Sequence, residues 1–164
     1  MALDLVADEI GEGVADGSVE LADDDLRLGG GVGGLGFDEC DVGVVLNVTA
    51  DHLGLRGIHT LEQLADVKGV IAAVVKREGH AVLNADDPLV AKMRDRTSAD
   101  IVFFTVQADG QNPLVEEHLA QGGIVAQIEN DTFIVRRGRL RIPIAAVRDV
   151  PLTIGGAARF QRGN

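Results

Sequence analysis

Between Asp41 and Thr105 short β-branched runs alternate with amphipathic segments, and that alternation confines the chain to a parallel α/β fold. Residues 42–48 are apolar on both faces, as a buried parallel strand requires. Thr60 with Gln63 three positions on forms a capping-box signature and predicts a helix from Leu61 to about Arg77, stopping near Gly79. Residues 80–84 read as a second buried strand. Asp87 then caps a helix that has Pro88 at its first position and runs to about Arg96. Residues 101–105 make a third strand. Strand, helix, strand, helix, strand at this spacing predicts a right-handed parallel unit.

The pattern changes further on. Residues 124–128, 132–136 and 140–144 are short alternating runs, separated by the turn residues Asn130-Asp131 and Arg137-Gly138. They predict a small antiparallel sheet appended to the α/β core.

The N-terminal stretch reads differently from the body. Residues 1–34 hold nine acidic residues and one basic residue, Arg27, for a charge of −8 out of a total of −11. Asp, Glu, Gly and Ala alternate there with single aliphatics, too few to offset the entropy of ordering. We therefore expect two parts: an acidic, Gly-rich head over residues 1–33 and one folded unit over residues 34–164. Gly29, Gly31 and Gly34 satisfy G-x-G-x-x-G, but a dinucleotide loop needs a buried strand before it and a helix after it. Neither pattern is present, so the run reads as a linker.

Net charge of −11 argues against nucleic acid as a partner. No run approaches the roughly 18 apolar residues of a membrane span, so no membrane association is expected either. The one cysteine, Cys40, excludes an internal disulfide framework, fits a reducing cytoplasm, and reads as a small buried apolar residue.

Open parallel sheets bind ligands outside the carboxyl ends of their strands. Three groups of residues fall there or point there. Asn47, Thr49, Asp51 and His52 follow the first strand and offer oxygen and imidazole donors to a cation and its nucleotide, or serve as turn and capping residues. Asn84 and Asp86 follow the second strand, with turn chemistry and ligand binding both open. Lys68 falls at the centre of the apolar stripe formed by Leu61, Leu64, Ala65, Ile71, Ala72 and Val75. A lysine aimed at a core needs an anion, a shifted pKa or a chemical modification, unless it snorkels to the helix edge. His59, His80 and His118 show no metal-ligand spacing and read as structural.

The segments 34–38, 40–53, 60–69, 82–88 and 150–156 together resemble the cyanophycin-synthetase branch of the Mur ligase family. Their order and spacing carry the resemblance, and no single tripeptide does. It implies a Mur-ligase central domain, in which ATP phosphorylates a carboxylate and an amine attacks the acyl phosphate to give an amide. For this branch the resemblance implies ATP and Mg2+ as cofactors, with arginine and an aspartate-backbone polymer as the substrates of the intact enzyme. It implies His52 as support for a magnesium ion and Asn164 near the adenine. It also implies that Lys68 is the lysine carbamylated in several Mur ligases, which would turn the cation into a catalytic, metal-binding anion.

Departures from the family accompany the matches. No G-x-x-x-x-G-K-[ST] phosphate loop occurs within the 164 residues. The family's Glu-x-Ala-Arg-Gly-Gly-like segment would fall near Asp24 and Arg27, where the surrounding residues do not support it. Asn164 is preceded by Gln161 where the family has asparagine. Such a chain reads as a fragment, inactive alone, and its head fits a change of reading frame near Gly33. A different ligase of the superfamily, acting on a peptidoglycan precursor or a poly-glutamate, is the second reading. A non-catalytic interaction module of the same fold is the third.

Overall fold

A computed structural model describes residues 39–50, 53, 57–107, 111–151 and 155. Six strands form one sheet in the order β1-β2-β3-β4-β5-β6. They are β1 (Cys40–Val45), β2 (Val75–Asn84), β3 (Asp100–Phe104), β4 (Ile124–Glu129), β5 (Thr132–Arg137) and β6 (Leu140–Ala146). The first four run parallel. The last three are antiparallel, so β4 belongs to both kinds of pairing. The expected small antiparallel sheet is thus continuous with the parallel one.

Helix α1 (Leu61–Ala73) links β1 to β2, and α2 (Pro88–Ala91) with a 3-10 turn over Lys92–Arg96 links β2 to β3. Thr60 makes the full capping box: its side chain accepts from the Gln63 N–H, and the Gln63 side chain reaches back to the Thr60 N–H. Asp87 caps α2 with Pro88 in the first turn, as the sequence predicts. Helix α3 (Pro113–Ala120), between β3 and β4, has no counterpart in the sequence-based expectations. Its start nevertheless repeats the signature of α2: an Asn112 cap followed by Pro113.

Helix α1 ends four residues short of Arg77, and β2 begins at Val75. Val74 and Val75 are β-branched, and the edge of β1 offers them partners. The Cys40 N–H donates to the Val74 carbonyl at 3.0 Å, and Cys40 pairs with Val75 while Val42 already pairs with His80. Three residues of β2 are therefore extruded as a bulge, which brings Lys76 Nζ to 2.7 Å from the Asp41 carboxylate. Gly79 closes the bulge against the Asp41 backbone, leaving no room for a Cβ.

One row of in-register residues crosses the sheet: Val45, Leu83, Phe103 and Val125, each buried. Together with Val90, Met93, Leu64 and Ala72 from the helices it forms the core. Burial of side chains of this size contributes about 1.5–3 kcal/mol each. Phe103 also meets the His118 ring edge-on, with centroids 5.0 Å apart. The row then changes character. Its next member, Arg136, is buried at 7% exposure and lies 3.9 Å from both Glu116 and Glu129. The alternate row, Val44, Val82, Val102 and Ile124, is only half-buried.

Candidate functional site at the carboxyl edge of the sheet

Parallel pairing of β1, β2 and β3 brings the segments after them to one edge. Side chains from three elements hold the backbone that follows β1. The Asn84 amide donates to the Leu46 carbonyl at 2.8 Å. Lys68 Nζ donates to the Asn47 carbonyl at 2.9 Å. The Val48 N–H donates to Asp87 Oδ2 at 2.7 Å, while Asp87 Oδ1 accepts from the N–H groups of Leu89 and Val90. The backbone of three consecutive residues, Leu46, Asn47 and Val48, is pinned, and Asn47 and Thr49, on either side of buried Val48, are exposed.

A second layer of bonds joins the segments after β2 and β3. Asp86 Oδ1 accepts from the Thr105 hydroxyl at 2.6 Å and from the Asn112 amide at 3.0 Å, and Oδ2 accepts from the Val106 N–H at 2.8 Å. Asn84 Oδ1 accepts the Asp86 N–H at 2.8 Å. Asn112 also donates to the Ala85 carbonyl and caps α3 through its oxygen. Thr105 and Asn112 are buried, so these bonds satisfy groups that water does not reach.

Asn47, Thr49, Lys68, Asn84 and Asp86 therefore meet at one edge. Asp51, His52 and Asn164 lie outside the described residues, as do Asp24, Arg27 and the glycine run. Of the two alternatives open for Lys68, a core-directed lysine and one that reaches the helix edge, the structure resembles the second. Lys68 is half-buried, and its partner is a neutral backbone carbonyl. Its ammonium head reaches the backbone that follows β1. Asp87, Thr105 and Asn112 complete the arrangement. Asp87 reads from sequence only as a cap, and its second oxygen is visible only once β1 and α2 are placed together.

Both oxygens of Asp86 and both of Asp87 are engaged as acceptors. Among the described residues this edge exposes Asn47 and Thr49, while the Asp86 and Asp87 carboxylates hold the surrounding backbone in place. No group of three His, Cys, Asp or Glu side chains able to hold a metal occurs among the described residues. Cys40 is buried beneath the Val74 carbonyl, and burial pushes its thiol up from the ordinary value. His118 Nε2 lies 3.1 Å from the Ile101 carbonyl, a structural contact as expected. At the same end of the sheet, a cavity of about 400 Å3 sits between the β4–β5 turn (Asn130, Asp131) and the end of β6 (Ala146, Arg148). No described helix is long and apolar enough to cross a membrane.

Comparison with known proteins adds to this geometry. The model of the Mur ligase middle domain matches residues 17–145. Cyanophycin synthetases of Synechocystis sp. and Crocosphaera subtropica are 46% and 45% identical over 150 residues. Those alignments take in 91% of this chain and 17% of each relative. A UDP-N-acetylmuramoylalanine–D-glutamate ligase of Pelotomaculum thermopropionicum is 34% identical over 120 residues, 72% of this chain and 25% of the relative. The family match begins inside the acidic head, 16 positions before Gly33.

Proposed function

Because the chain belongs to the Mur ligase middle domain family, we propose that it supplies part of the nucleotide-binding face of an ATP-dependent amide-forming ligase. The intact enzyme would join arginine to an aspartate-backbone polymer. The observation that supports this reading most directly is 46% identity to a cyanophycin synthetase across 91% of the chain. A peptidoglycan-type substrate is the second reading, supported by 34% identity to the glutamate ligase over 72% of the chain.

In this reading bound ATP supplies the phosphoryl group that activates a carboxylate for attack by an amine. The chain's own residues bind and orient. Asn47 and Thr49 are exposed on a backbone held by three hydrogen bonds, and Lys68 adds a positive charge beside them. Asn84 and Asp86 hold the neighbouring segments in place for the same ligand. By position in the family, His52 would support magnesium and Asn164 would lie near the adenine. A single cysteine, free and buried, fits a cytoplasmic setting.

The 164 residues contain no G-x-x-x-x-G-K-[ST] loop, so little stabilises charge on the transferring phosphoryl group. The chain by itself should bind ATP weakly and show no ligase activity. Equilibrium binding of ATP, together with an assay for ATP-, magnesium- and arginine-dependent extension of a cyanophycin primer, tests both halves. Weak saturable binding without extension is expected. Absence of binding would contradict the nucleotide-face reading, and primer extension would contradict inactivity.

A further inference from the structure

The Asn47 carbonyl and the Val48 N–H are the two ends of a single peptide unit. Lys68 Nζ donates to the first at 2.9 Å, and Asp87 Oδ2 accepts from the second at 2.7 Å. The charges match the peptide dipole: a cation on the oxygen and an anion on the N–H. Hydrogen bonds to charged groups are roughly twice as strong as neutral ones, so both ends are held firmly. Rotating this plane would place the carbonyl towards a carboxylate and the N–H towards an ammonium. Each misplacement is repulsive.

We propose that Lys68 and Asp87 are a pair of positioning residues that lock the Asn47–Val48 peptide plane, so that Asn47 and Thr49 are presented in one direction. Three observations beyond the two distances support it. The lock spans elements far apart in sequence, Lys68 from the middle of α1 and Asp87 from the cap of α2. Asp87 divides its oxygens, one for the α2 cap and one for the loop, so the loop is referenced to the helix start. Asn84 pins the preceding carbonyl, which leaves the 47–48 plane as the next free rotation, and that is where the charged pair acts. The role assigned to Asn47 and Thr49 rests on the nucleotide-face reading; the lock itself does not.

Lys68 acts here as an ammonium donating to a carbonyl. A Lys68 carbamate would carry negative charge beside the negative end of the peptide dipole and oppose the lock.

The test uses the full chain, labelled for NMR, with Lys68→Met, Lys68→Arg and Asp87→Asn variants and a native sample equilibrated with labelled bicarbonate. Met keeps the stem and removes the donor, Asn keeps the helix-cap acceptor, and Arg restores the charge. Lys68→Met and Asp87→Asn should each shift the Val48 and Thr49 amide signals and lower Val48 exchange protection roughly tenfold relative to amides in β2. Lys68→Arg should recover most of that protection. The double variant should lose less than the product of the single losses, because both residues act on one plane.

Unmoved Val48 signals in Lys68→Met would overturn the proposal. So would failure of Lys68→Arg to rescue, or a carbamate carbon signal on Lys68 in the native chain. If ATP fails to perturb Asn47 and Thr49 while the variants behave as expected, the lock stands and the nucleotide reading falls. If ATP perturbs them and the variants leave Val48 unchanged, the reverse holds.

Discussion

The Asp86 carboxylate, just after β2, receives the Thr105 hydroxyl, just after β3, at 2.6 Å. That contact holds adjacent parallel strands together beyond the point where their ladder ends. The same carboxylate takes the Asn112 amide and the Val106 N–H. Replacing Asp86 by Ala strips partners from two buried side chains at once. The expected cost is about 3 kcal/mol in urea unfolding, with Asp86→Asn markedly milder because one acceptor oxygen remains. A loss under about 0.5 kcal/mol in Asp86→Ala would mean that the network adds little.

Two tightly packed glycines should respond differently to a methyl group. A Cβ on Gly79 would meet the Asp41 backbone oxygen, and Val75 Cγ1 at 2.9 Å. Neither is free to move, so Gly79→Ala should destabilise by about 2–3 kcal/mol through overpacking. The atoms nearest to a Cβ on Gly69, within α1, would all belong to the Arg96 side chain. Arg96 can swing aside, giving up its exposed pairing with Asp66, while the helix gains about 1 kcal/mol from alanine. Gly69→Ala should therefore be close to neutral, and paired thermal melts of the two variants compare them directly.

Stability should fall on the alkaline side. Burial, then the neighbouring Asp41 charge, raises the Cys40 thiol above its ordinary 9.0. The hydrogen bond from Lys76 to Asp41, then the Asp41 charge, raises the Lys76 amine above its ordinary 10.5. In both cases the folded chain keeps a proton that the unfolded chain has lost. Their contribution is thus complete below the ordinary values and disappears as pH rises through the raised ones. Urea midpoints should decline above pH 9, and Lys76→Met should flatten the later part of that decline. An unchanged slope in Lys76→Met would remove the Asp41 pairing from the account.

Much of this architecture is legible in the sequence, for identifiable reasons. The caps at Thr60 and Asp87 announce their helices because side-chain oxygens must satisfy the first N–H groups. The β4–β5 turn is announced by Asn130 and Asp131, which take φ of 48° and 56° as a tight hairpin demands. The end of α1 is less visible. Residues 74–77 suit a helix by local pattern, and only pairing with Cys40 draws Val75 into β2. Helix α3 carries a readable Asn112-Pro113 signal but spans just two turns, too short for periodicity to stand out. At the candidate site, Asn47, Thr49, Asn84 and Asp86 are suggested by their place after strands. The division of Asp87 between a helix cap and the Val48 N–H depends on register between distant elements, which no local pattern encodes.

In the proposed function the edge built on Leu46 to Thr49 faces a nucleotide. Titrating the isotope-labelled chain with ATP and following every backbone amide tests it most directly. The largest shifts should fall on Asn47, Val48 and Thr49, with smaller ones around Lys68 and Asp86. Shifts concentrated instead at Asn130 to Thr132 and Arg148, around the cavity beside β6, would contradict it.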